Sequence, residues 1–123
     1  MSNVKKLLIP SMEPGGLDAE IYPHWRGAPV FTQVVLEGDR VASVEVRRLG
    51  SDELIVDLVR REGIGFVVAK ALSTRALEML TRLGVRVLKT SARTVREAVS
   101  DFVSRRLCLW KLECVPMSEL DDP

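Results

Sequence analysis

Ile64-Gly65-Phe66-Val67-Val68-Ala69 contains no side chain that seeks water, and this run constrains the fold more than any other segment. A strand apolar on successive residues turns both faces toward protein, so it belongs in a sheet covered by helices on each side. Its neighbours supply those helices. Ser51 has the chemistry of an N-cap for a helix over 52–62, with Leu54, Ile55, Leu58 and Val59 as the apolar stripe. Arg60 and Arg61 sit at the negative end of its dipole, and Gly63 ends it as a left-handed cap. Ser73 caps a second helix from Thr74 to Leu83, with Ala76, Leu77 and Leu80 inward and Gly84 as terminator. Val85 to Leu88 is the next strand. Thr94 and Glu97 have capping-box spacing for a third helix, whose inner stripe is Val95, Ala98, Val99, Phe102 and Val103. The order β-α-β-α implies a right-handed crossover and a parallel pair.

The first half reads differently. Val4 to Pro10 is a short strand and Phe31 to Leu36 a second; Glu37-Gly38-Asp39-Arg40 is a turn. Val41 to Arg47 then alternates, Val44 and Val46 on one side and Ser43, Glu45 and Arg47 on the other, so the second and third strands form an antiparallel hairpin. The sum is a mixed sheet with helices on both faces. In the tail, Cys108, Trp110, Leu112 and Cys114 alternate with Leu109, Lys111 and Glu113, which offers a sixth strand at a sheet edge or in a subunit contact. Met117 to Pro123 is acidic and expected to fray. In one strand the two cysteines would stand about 20 Å apart at about 3.3 Å per residue. In one helix they would be about 9 Å apart on different faces. Neither allows a disulfide unless the chain turns between them, so buried free thiols are expected.

At 123 residues the chain is one domain with room for a real core. Eighteen basic and seventeen acidic residues leave a net charge of +1, which gives no whole-molecule footprint for nucleic acid or an anionic membrane. No apolar run approaches the roughly 20 residues that cross a bilayer. The N-terminal apolar run stops at Pro10, too short for a signal-peptide core, and a cytoplasmic location is expected. The helices rich in ion-pair partners, the many arginines and the short loops hint at a thermophilic source.

Glycine, proline and the single histidine crowd into one stretch, Gly15 to Phe31, between the first two strands. That density specifies a shaped loop, and loops on a rigid scaffold are where binding chemistry sits. His24 could give a neutral imidazole nitrogen to a metal, or hold the turn by bonding backbone. Asp18 reads first as an acceptor of loop amides. Arg26 could pair with an anionic ligand or stand solvated, and Trp25 reads as a packing residue or an interface anchor. Lys70 and Ser73, between a strand end and a helix start, could hold an anion, although Ser73 is also a plain N-cap. One histidine cannot close a metal site, so a ligand must bring most of its own coordination. Neither Val4–Pro10 nor Ile64–Ala69 carries an acid, and there is no nucleophile elbow or phosphate loop, so the chain reads as not an enzyme.

Gly15-Gly16-Leu17-Asp18 followed by Pro23-His24 and Ala28-Pro29 resembles the dinitrogenase iron–molybdenum cofactor family, the NifX and NifB C-terminal type of domain. So do Arg75-Ala76-Leu77 opening a helix, Leu83-Gly84-Val85 before the last strand, and Thr94-Val95-Arg96-Glu97-Ala98 opening the final helix. The likeness runs from Val4 to about Leu107. It implies a ribonuclease H-like fold without nuclease chemistry: a five-stranded mixed sheet in the order 3-2-1-4-5, strand 2 antiparallel, helices on both faces. It also implies carriage of iron–molybdenum cofactor or an iron–sulfur precursor cluster, not covalently attached, between cofactor-assembly proteins. Where the family reads His-Phe-Gly-Arg, this chain has His24-Trp25-Arg26-Gly27. The family's glycine turn after the fourth strand is Lys70-Ala71-Leu72-Ser73 here.

The expectation is therefore a domain over residues 1–107 with a tail over 108–123. It is a small binding protein holding an anionic metal cofactor at the 15–29 loop: His24 in contact with metal, and Arg26, Gly16, Asp18, Lys70 and Ser73 around it. The rival is a metal-free interaction or regulatory module that uses the same loop and the apolar tail as protein contacts, with a homodimer formed through the tail.

Overall fold

The computed structural model of the chain describes residues 3–110 and the backbone of 114–116. Its strands are β1 (Val4–Ser11), β2 (Val30–Glu37), β3 (Arg40–Arg47), β4 (Phe66–Ala69), β5 (Arg86–Lys89), β6 (Cys108–Trp110) and β7 (Cys114–Pro116). They make one sheet in the order β3-β2-β1-β4-β5-β6-β7. The expected 3-2-1-4-5 core is thus present, extended by two short strands. β1, β4 and β5 run parallel, while β2, β3, β6 and β7 are each antiparallel to their neighbours. The helices are α1 (Asp52–Glu62), α2 (Thr74–Arg82) and α3 (Val95–Val103).

The alternation of strand side chains divides the core in two. Leu7 and Ile9 join Val68, Leu88 and the α3 stripe of Val95, Ala98, Val99 and Phe102. Leu8 joins Val67, Ala69 and Val87 beneath Ile55, Leu58 and Val59 of α1 and Ala76 and Leu80 of α2. The central strands are therefore sealed on both sides, as their unbroken apolar runs require. Each such Leu or Ile contributes roughly 1.5–3 kcal/mol by leaving water.

Local signals place the helix ends. Ser51 Oγ accepts from Leu54 N at 3.3 Å, Ser73 Oγ from Ala76 N at 3.2 Å and Thr94 Oγ1 from Glu97 N at 3.2 Å. Gly63 has φ +70°, and its N–H returns to Val59 O. One expected detail is corrected. Leu54 is 48% exposed, so the α1 stripe is only Ile55, Leu58 and Val59. β3 is an edge strand left open by the helices: Val44 is half-buried and Val46 is exposed.

The cysteine reading is corrected as well. Cys108 is disulfide-bonded, and no cysteine is a free thiol among the described residues. That reading treated 108–114 as one continuous element. Instead Trp110 pairs with Cys114 and Cys108 with Pro116 in an antiparallel hairpin, so the chain reverses and a separation measured along one strand no longer applies. The expected frayed end over 117–123 lies outside the described residues.

Candidate functional site

The loop between β1 and β2 is held from below by a chain of hydroxyls. Ser11 Oγ donates to Ile9 O at 2.8 Å, which leaves the proton for its 2.8 Å contact with Thr32 to come from Thr32 Oγ1. Thr32 Oγ1 in turn accepts from Gly16 N at 3.1 Å, so the first glycine pair is tied to the floor of β2. Ser11 and Thr32 are fully buried, and this network satisfies them. Gly15 has φ +79°, and a Cβ built there would stand 2.8 and 2.9 Å from the Val46 methyls. Gly16, at φ +93°, has open space instead. Gly15→Ala should therefore cost about 1–3 kcal/mol from its backbone alone, with the steric clash in addition. A thermal melt should show Gly15→Ala falling further than Gly16→Ala.

Near its start the loop is also tied sideways, where Arg48 forms a bidentate ion pair with Glu13. The Arg48 guanidinium holds the Glu13 carboxyl below the usual carboxylate range. Because the folded-state value is depressed, this tie is complete above the ordinary carboxylate pKa and is lost as pH falls through the lowered one. Both groups are exposed, so the effect on stability is small. An NMR titration of the Glu13 carboxyl should show a lowered midpoint that returns to the ordinary value in Arg48→Ala.

The first part of the loop faces α3. Ala19 O accepts from Val95 N at 3.0 Å and Leu17 O from Arg96 N at 2.8 Å, so loop carbonyls occupy the helix start. Asp18 does not receive loop amides; its carboxylate meets Arg96 Nε at 3.0 Å. Asp18 also lines a separate hollow with Met12, Pro14 and Pro23. The structure thus sets Gly16 and Asp18 apart from the other expected site residues.

The second part of the loop faces α2. Trp25 is only 5% exposed, its ring edge-on to Phe31 with centroids 5.0 Å apart, and its backbone N–H donates to Ala71 O at 3.2 Å. This packing settles the Trp25 alternatives in favour of the core. With Trp25 turned inward, its neighbours His24 and Arg26 are left exposed. Both line a cleft of about 520 Å³ with Ser73, Arg75 and Asp52, whose wall includes Ala71 and Leu72. A smaller hollow of about 260 Å³ lies beside it, lined by Trp25 and Arg26 as well as Leu49, Gly50 and Ser51. Lys70, half-buried at the end of β4, adjoins this wall without lining the cleft. The indole Nε1 of Trp25 is buried with no hydrogen-bond partner among the described residues.

The two helix starts at the cleft differ in charge. α1 carries Asp52 and Glu53 in its first turn, whereas the first turn of α2 has no acid. Ser73 serves Ala76 N, and among the described residues nothing accepts from the amides of Thr74 and Arg75. A positive helix end, two guanidinium groups without ion-pair partners among the described residues and one imidazole meet at this cleft, chemistry suited to an anion, with the Asp52 carboxylate also on its wall. Among the described residues no group of three or more histidine, cysteine or carboxylate side chains could hold a bare metal ion. The donor set therefore fits an anionic cluster that brings its own coordination. Arg75 and Asp52 were not among the residues expected at the site. The signal for Arg75 was available, a basic residue in the first turn of a helix lacking an acid there.

A family model described as "Dinitrogenase iron-molybdenum cofactor" matches residues 5–105. Among solved structures, a Methanocaldococcus jannaschii protein provisionally named a dinitrogenase superposes with TM-score 0.74 at 16% identity, covering 90% of this chain and 98% of that one. A Thermotoga protein provisionally named NifB gives 0.67 at 24% identity, covering 87% and 91%. The apo form of the orange protein from Desulfovibrio gigas gives 0.70 at 20% identity, covering 93% and 98%. At these identities the structures establish the shared fold. No curated protein is matched. Among the described residues no helix is long and apolar enough to cross a membrane.

Proposed function

The chain belongs to the dinitrogenase iron–molybdenum cofactor family, and from that premise we propose that it is a small non-catalytic carrier of an anionic metal cofactor. The cargo is iron–molybdenum cofactor or an iron–sulfur precursor cluster, held in the cleft between His24–Arg26 and the start of α2 and passed to cofactor-assembly proteins. One observation carries the reading: Arg26, Arg75 and the acid-free N-terminus of α2 converge on a cleft that also exposes the chain's one histidine. Arg26 and Arg75 supply charge-assisted contacts to the cargo, and the α2 amides support them. His24 gives one imidazole nitrogen to a metal whose other positions the cluster fills itself. Ala71 and Leu72, which stand where the family has a glycine turn, give the cleft a bulkier wall and keep cargo away from the β4–α2 backbone.

Anaerobic titration with an iron–molybdenum cofactor or iron–sulfur cluster preparation tests this. In a Trp110→Phe background Trp25 is the remaining indole, and its position on the cleft wall makes its emission a reporter. We expect stoichiometric quenching together with bound metal, and weaker binding in His24→Ala. An unquenched Trp25 with no bound metal in the native chain would overturn the carrier reading.

A further inference from the structure

Some arginines of this chain are held by carboxylates and others are not. Arg47, Arg48, Arg61, Arg93, Arg96 and Arg106 each meet a carboxylate. Arg26, Arg40, Arg60, Arg75 and Arg82 meet none among the described residues, and all five are exposed. Arg40 stands apart at the start of β3, but the other four gather around two adjoining hollows. Arg26 and Arg75 line the cleft, while Arg75, Arg60 and Arg82 line a groove of about 520 Å³ between α1 and α2. The groove and the cleft share Arg75 and Asp52, so they form one continuous surface.

The groove is built by helical spacing. Val56 and Arg60 follow Asp52 at successive turns of α1, and Met79 and Arg82 follow Arg75 along α2. Val56, Met79 and Leu83 are half-buried and give it an apolar floor, with the arginines at the rim. Asp52 and Glu78 also line it, yet neither closes an ion pair onto these arginines, whose charge stays available.

We propose that this α1–α2 groove is the docking surface for an acidic, partly apolar segment of a partner protein, placed so that the partner covers the mouth of the cofactor cleft. The inference rests on the carrier reading, because it supplies that reading with the surface across which cargo passes. Unpaired arginines over an apolar floor are complementary to carboxylates that flank apolar side chains. Nucleic acid is the poorer fit. A phosphate-tracking surface is uniformly basic and has no apolar floor.

The test uses the full chain and a labelled peptide of alternating glutamate and leucine, with an alternating lysine–leucine peptide and a DNA duplex beside it. We expect the acidic peptide to bind at low salt, to weaken as salt rises, and to shift the methyl resonances of Val56 and Met79. Arg60→Glu with Arg82→Glu should weaken it on the order of tenfold or more. Because both side chains are exposed the fold should persist, and Arg60→Gln with Arg82→Gln repeats the test without charge reversal. Neither residue lines the cleft, so quenching of Trp25 by cofactor should be unchanged. Peptide binding that depends on the groove while cofactor fails to bind either protein would leave the docking surface standing and remove the cargo. Equal peptide binding by native and substituted chains, no binding by the native chain, or tighter binding of the duplex would overturn the proposal.

Discussion

Arg26→Glu combined with Arg75→Glu should weaken cofactor binding by about a hundredfold or more while leaving the melting temperature nearly unchanged. Both side chains are exposed and form no ion pair or side-chain hydrogen bond among the described residues, so folding loses nothing with them. The bound state loses a great deal. A hydrogen bond to a charged group is worth about 1.5–3 kcal/mol once the ligand covers it, and glutamate replaces attraction by repulsion at both positions. The α2 amides and His24 would remain, so their residual contribution is what the double variant measures. A matched pair, Arg93→Glu with Arg106→Glu, changes net charge equally on residues outside the cleft, where Arg93 pairs with Glu20 and Arg106 with Asp101. If that pair weakened binding as much, overall charge and not the cleft would govern affinity.

Trp25→Ala should be the most damaging single change in the loop, costing about 3–5 kcal/mol. The ring is 5% exposed and packs edge-on to Phe31, which is itself 2% exposed, among Leu8, Val67 and Ile55. Trp25→Phe should cost much less than Trp25→Ala. It keeps most of the apolar volume, and the buried Nε1 it removes has no hydrogen-bond partner to lose among the described residues. Chemical denaturation of the two variants separates packing from hydrogen bonding. A Trp25→Phe loss as large as that of Trp25→Ala would show that the indole nitrogen has a partner, a bound water for instance, that matters to the fold.

The helices and the central strands were legible because their determinants are local. Ser51, Ser73 and Thr94 each accept the N–H three residues on. Gly63 takes the left-handed conformation that its position after Glu62 implied. The double-sided apolar run of β4 implied helices on both faces, and the two halves of the core supply them. The site was legible as a stretch but not as a geometry. His24, Arg26 and Ser73 meet at one cleft, whereas Gly16 and Asp18 belong to the half of the loop that faces α3. Arg75 enters the site from a helix almost fifty residues further along the chain.

The elements, their order and most of the buried stripes follow from local patterns, because caps, periodicity and glycine positions act within a few residues. Which helix start is left uncovered depends on contacts between distant segments. α2 and α3 both begin at a capping side chain, yet the α3 amides of Val95 and Arg96 are taken by Ala19 and Leu17 of a loop some seventy-five residues earlier. Tertiary structure also decided that Leu54 is exposed and that the chain reverses between Trp110 and Cys114. In each case the deciding contact joins an element to whatever lies beside it in space. A local pattern carries no information about that neighbour, because burial and hydrogen-bond partners are properties of the assembled fold.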